Sequence, residues 1–201
     1  MLNSTLRGSG VDIYNVSVQG NVTQQAGIFT DSTAISGLTG GVILCTGNYS
    51  AILSANISDS INTSGPNGLA TLSDGDIDLL AGGAANMDQI IVEFNVKANG
   101  NLLSIEYVFA SDEYPENVCS SEADVFGITI SGVGVTGPYS GNAALMTVTQ
   151  NNLPLGLNSV NNGTAGMFAN GACQGGSFAN TSEYNENTSG AMEDYGWEII
   201  R

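Results

Sequence analysis

Ile90–Val96 reads IIVEFNV and Leu103–Phe109 reads LSIEYVF, with Ala98–Asn101 (ANGN) between them. Both runs are rich in β-branched and aromatic residues. Both alternate in part between apolar and polar positions, the period of a strand with one buried face. The Asn-Gly pair suits a tight turn, because both residue types accept a positive φ. The expected local structure is a hairpin of two core strands.

Outward from this hairpin, further short β-rich runs lie between Gly, Asn, Ser and Asp clusters. They are Val11–Val18, Gly41–Cys45, Gln89–Val96, Leu102–Ala110, Val125–Ser131 and Ala144–Gln150. No long segment repeats apolar residues at helical spacing, although Leu69–Leu80 accommodates a short helical turn near DIDLLAG. Many short strands with turn-rich joints predict an all-β fold, a β-sandwich or jelly-roll-like domain spanning 1–201. Asn151–Ser189 is rich in Gly and Asn and reads as long ordered loops over that one domain.

Nineteen acids face three bases, Arg7, Lys97 and Arg201, for a formal charge of −16. Nucleic acid and anionic membranes are excluded as natural partners, since both are bound by clustered Lys and Arg. The chain has no His, which removes Ser-His-Asp triads and ordinary zinc sites. A glycosidase needs only two carboxylates, and Glu113 with Asp124 is the pair to consider. No run reaches membrane-spanning length, so direct membrane insertion is not expected. No basic n-region followed by an apolar h-region opens the chain.

The acids fall in three clusters. Ser73-Asp74-Gly75-Asp76-Ile77-Asp78, followed by Asp88, resembles part of an EF-hand loop. Ser111-Asp112-Glu113-Tyr114-Pro115-Glu116 directly follows an apolar strand, and Glu122-Ala123-Asp124 directly precedes another. The second and third clusters therefore flank one loop between two core strands. Carboxylates on rigid strand ends can converge on Ca²⁺, whose oxygen ligands lie about 2.3–2.6 Å away. The expected metal ligands are Asp76, Asp78, Asp88, Asp112, Glu113, Glu116 and Asp124. The alternative is that these acids cap turns and keep the surface soluble.

Cys45 lies in the apolar run GGVILCTG and reads as a buried core thiol, whereas Cys119 and Cys173 lie in polar loops and are expected to pair. Nine N-x-S/T sequons begin at Asn3, Asn15, Asn21, Asn48, Asn56, Asn62, Asn162, Asn180 and Asn187. They are glycosylation candidates or a by-product of Asn/Ser/Thr richness. Tyr114, Tyr139, Tyr184, Tyr195 and Trp197 offer either a sugar-binding platform or core filling, the commoner fate of such residues.

LRGSGVDIYNVSVQGN, GGVILCTGN, DGDIDLL, VEFNV, IEYVFASDEYPENV and ADVFGITISG occur in this order. Together they resemble the choice-of-anchor L domain of prokaryotic surface and secreted proteins. VNNG (Val160–Gly163) and SEYNENTSG (Ser182–Gly190) fit more loosely. The resemblance implies an extracellular, non-catalytic β domain. Its motif positions here are Asp76, Asp78, Asp88, Ser111, Asp112, Glu113, Tyr114, Glu116, Asp124 and Asn142. Cys45 stands where the family pattern has Ser, which favours a free thiol.

That pattern also continues beyond Ile200-Arg201 into further strands and an anchor. Two readings follow: an open sheet edge filled by a neighbouring chain, with Leu2–Val18 as the donor strand, or a chain cut short of the pattern's last strands. The combined expectation is a calcium-stabilised extracellular module for adhesion or self-assembly into a homo-oligomer or filament, with other cell-surface components or glycans as partners. A carbohydrate-binding module is the alternative.

Overall fold

A computed structural model describes residues 2–30, 38–50, 74–83, 88–121, 124–149, 152–173, 180–182, 184 and 196–200. The chain is all-β. A short helix α1 (Leu2–Leu6) leads into β1 (Val11–Gln19), β2 (Ala26–Thr30) and β3 (Gly40–Leu44). Helix α2 (Gly75–Leu80) precedes β4 (Ile91–Ala98) and β5 (Tyr107–Ser111). The short strands β6 (Val125–Phe126), β7 (Thr129–Ile130), β8 (Ala144–Leu145) and β9 (Leu155–Gly156) follow, then β10 (Gly196–Ile200).

Among the described residues these strands form five two-stranded antiparallel ladders: β1–β4, β2–β3, β5–β10, β6–β9 and β7–β8. None of these ladders gains a third described strand. The described ladders are short and are joined by loops.

The expected hairpin does not form. β4 pairs with β1 from Val11 opposite Ala98 to Gln19 opposite Ile91, and β5 pairs with β10. Leu102–Glu106 carries no strand, and Leu102 is 82% exposed. Alternation tells a strand which face to bury but does not choose its partner. On β4 it works as read: Glu93, Asn95 and Lys97 are exposed between partly buried neighbours. Their outer face is joined to β1 by Asn15 donating to Asn95 and Gln19 donating to Glu93.

The first nineteen residues are likewise not a free donor segment. Leu2–Leu6 is helical, and β1 is already paired within its own chain. Donation of Leu2–Val18 to a neighbour would first require breaking the longest ladder described.

Gln25, which no motif singled out, fastens the N-terminal strands. It is fully buried. Its amide donates to the carbonyls of Thr46 and Asp88, and its side-chain oxygen accepts from the Asn21 N–H. The Cys45 N–H donates to the Gln25 carbonyl. One side chain thus ties together three separate stretches of chain. An amide can do this because it carries donors and an acceptor on one rigid plane.

The main core gathers Phe109, Tyr114, Val118, Cys119, Leu155, Leu157 and Val160. It is built from β5, the loop after it and the segment beginning at β9. A second cluster holds Leu80 of α2 with Tyr139 and Ala143. Successive residues of β6 serve the two clusters: Val125 packs on the second and Phe126 on the first. That division follows from the two-residue period of a strand.

Candidate functional site

The loop from Ser111 to Asp124 is the centre of the site. β5 delivers Ser111 and β6 begins directly after Asp124, so the two acidic clusters meet where the strands end. The Ser111 hydroxyl donates to an Asp124 carboxylate oxygen at 2.6 Å and accepts the Glu113 N–H at 3.1 Å. Asp124 presses against β9: its carbonyl accepts the Leu157 N–H, and a Cβ on Gly156 would lie 2.7 Å from that carbonyl. Only glycine permits this approach.

Burial pushes the Asp124 carboxyl above its ordinary range, against the opposing effect of the Ser111 hydroxyl. No basic side chain among the described residues contributes. Arg7 is bonded to Asp12, and Lys97 stands opposite Asp12 on the β1–β4 ladder. The charge of Asp124, and less strongly that of Asp112, is felt at the Cys45 thiol. Burial raises that thiol first of all, the Gly47 N–H lowers it, and the two carboxylates raise it again. The β3 end therefore faces the Asp112–Asp124 loop. Cys45 is free, as expected, but half-buried and not a full member of the core.

The remaining acids do other work. Asp74 caps α2 by accepting the Asp76 N–H at 2.8 Å, so the D-x-D-x-D run opens a helix and forms no EF-hand-like loop. Acids in a first helical turn meet free N–H groups and the positive end of the backbone dipoles. Asp76 accepts both the N–H and the hydroxyl of Ser140, fixing the turn before β8. Asp78 lies in the same first turn. Asp88 sits at φ 62° beside Gln25. Glu113 accepts from the Asn117 amide. Glu116 lines a shallow pocket with Asn162 and Met167. Among the described residues no three Asp, Glu or Cys side chains gather closely enough to hold a metal ion.

A disulfide joins Cys119 to Cys173 across 54 residues, the pairing expected from their loop positions. It closes a dense knot. The Asn158 side chain accepts the Cys119 N–H and donates to the Ser120 carbonyl. The N–H groups of Asn170 and Ala172 both donate to the Cys119 carbonyl.

The choice-of-anchor L domain model matches residues 1–196. The chain belongs to the choice-of-anchor L domain family. No curated protein and no solved structure matches it. The family is one of cell-surface or secreted proteins and is not a known enzyme family. The domain is thus a surface-associated module. No helix among the described residues is long and apolar enough to cross a membrane.

Within the choice-of-anchor motif FASDEYPE, Tyr114 is core. It is 3% exposed, donates to the Val160 carbonyl and packs on Tyr184 with ring centroids 5.0 Å apart. Tyr139 is buried as well. Neither can serve a sugar platform. Tyr195 and the Trp197 side chain lie outside the described residues. So do the sequons at Asn56, Asn62 and Asn187, and the Asn3 side chain. Asn180 is 8% exposed, with its amide donating to the Ser159 carbonyl, which leaves no room for a glycan in the folded domain. Asn15 is exposed on β1. Asn21, Asn48 and Asn162 are partly exposed, and the side-chain oxygens of the first two close local turns.

Proposed function

We propose that this domain is a calcium-stabilised surface module acting in adhesion or self-assembly, with the ion held at the Asp112–Asp124 end of the loop. The observation that carries the reading is the partly buried Asp124 carboxylate, held by the Ser111 hydroxyl at 2.6 Å and offset by no basic side chain among the described residues. Ionising a carboxyl there is costly, and a divalent cation would remove the cost. Ca²⁺ takes six to eight oxygens and accepts carbonyls, hydroxyls and water beside carboxylates. Asp112 and Asp124 would supply the charge. Ser111, backbone carbonyls and water would complete the shell.

The test is thermal unfolding in saturating Ca²⁺ and in chelator at matched ionic strength. A hundredfold excess over Kd stabilises by about 2.7 kcal/mol, or roughly 5–10 °C for a domain this size. The rise should vanish in Asp112→Asn and Asp124→Asn. An unchanged midpoint, with no metal in the purified protein, leaves the acids as solubilising charge and removes calcium from the function.

The pH dependence without metal has a definite sign. The folded domain holds the Asp124 proton more tightly than the unfolded chain does. Its contribution to stability is complete below the ordinary 3.8 and is lost as pH rises through the raised value. In chelator, Asp124→Asn should therefore gain on wild type as pH rises from 4 towards neutrality. Parallel stability curves for the two proteins would show that Asp124 ionises without penalty.

A further inference from the structure

We propose that the shallow pocket between the Pro115-Glu116 corner and the 162–167 loop binds one uncharged hexose unit, and so provides the adhesive contact. The proposal rests on the adhesion reading above but is independent of calcium. The pocket measures about 380 Å³, towards the small end of ligand sites, about 300–1,000 Å³. Its walls mix two chemistries. Pro115, Ala165 and Met167 give an apolar side, while Glu116, Asn162 and Thr164 give polar groups. A sugar ring has the matching pair of faces, an apolar C–H face and a rim of hydroxyls. The Glu116 carboxylate can accept from ring hydroxyls, the stronger kind of hydrogen bond.

Two further features point the same way. Met167 is 77% exposed and Phe168, next to it, 59%. Met167 lines the pocket, and its exposed apolar side chain can cover a sugar's C–H face. The pocket is also preformed. The Gly166 N–H donates to the Val118 carbonyl and the Phe168 N–H to the Glu116 carbonyl, both at 3.0 Å. Gly166 lies so close to the carbonyls of Pro115 and Glu116 that a Cβ would fall 2.3 and 2.1 Å from them. A site held this firmly pays little to order itself on binding.

Charge selects among sugars. With −16 overall and three bases, of which Arg7 is tied to Asp12, the domain repels uronic and sialic acids. An uncharged unit suffers no such penalty.

The experiment is an NMR titration of the ¹⁵N-labelled chain in Ca²⁺ with glucose, N-acetylglucosamine, a glucose trisaccharide and glucuronate. Amide shifts should centre on Glu116 and Gly166–Phe168. An uncharged sugar should bind at least tenfold more tightly than glucuronate. A trisaccharide tighter than the monosaccharides assigns the pocket to a glycan chain, and equal affinities assign it to a free sugar. Met167→Ala and Glu116→Gln should each weaken binding about tenfold. Met167→Ala, altering an exposed side chain, should leave the melting temperature unchanged.

The inference is overturned if no sugar shifts these amides, if Met167→Ala binds as wild type, or if glucuronate binds equally well. It is also overturned if mass spectrometry finds the native protein's own glycan on Asn162, which would fill the pocket. Sugar shifts that persist in chelator leave the pocket standing whatever becomes of calcium. A calcium-dependent melting shift without sugar binding removes this contact and leaves the calcium reading intact.

Discussion

Replacing Cys119 and Cys173 together by Ser should cost about 4 kcal/mol of stability, read from urea unfolding of the double variant against wild type. The crosslink spans 54 residues, and in the chain-entropy model closing a loop of that length removes about this much from the unfolded state. The native side agrees with a large effect. Cys119 is 4% exposed, sits in the main core and has a carbonyl that anchors the 170–172 stretch. The loss should appear as a lower midpoint at nearly unchanged slope if the variant keeps its fold. A loss below about 1 kcal/mol would mean that the surrounding hydrogen bonds and the core hold the loop without the bond.

Tyr114→Ala should cost about 3–5 kcal/mol, the range for deleting a buried aromatic ring. It removes the ring that packs on Tyr184 and leaves a cavity beside Val118 and Val160. Tyr114→Phe isolates the hydroxyl. It keeps the ring and leaves the Val160 carbonyl without this donor, at about 1–3 kcal/mol. The pair of variants separates two roles for a motif aromatic. A residue serving an exposed binding surface would lose ligand affinity and keep its melting temperature. The opposite pattern is expected here, because 3% exposure places the ring in the core.

The strand runs were legible because alternation and β-branched content are local signals. β1, β3, β4, β5, β6, β7 and β8 fall where those signals lie. The short helix at DIDLL was legible too, from its acids and apolar spacing. β2, Ala26–Thr30, was missed. AGIFT is short and Gly-containing, and its partner β3 gives no local hint of the pairing.

Gln25 was missed for a different reason. A buried glutamine looks like any surface glutamine until the chain brings Thr46 and Asp88 to its amide. The acids were legible as acids, but their division of labour was not. Asp74 caps a helix start, Asp76 grips Ser140, 64 residues away, and the partly buried Asp124 accepts from Ser111. Spacing along the chain is the same for a ligand and for a cap.

Composition and motifs by themselves determined the all-β class, the lack of His-based chemistry, the family, and the pairing of Cys119 with Cys173. These depend on residue type and local order, which the chain carries without folding. Tertiary structure alone decided which strands pair, what each acid contacts, and that the motif tyrosine is core. It alone placed Glu116 and Asn162 on one pocket. Each of these joins residues far apart in the chain, and long-range contact is chosen by the packing of the whole domain, which no single segment encodes.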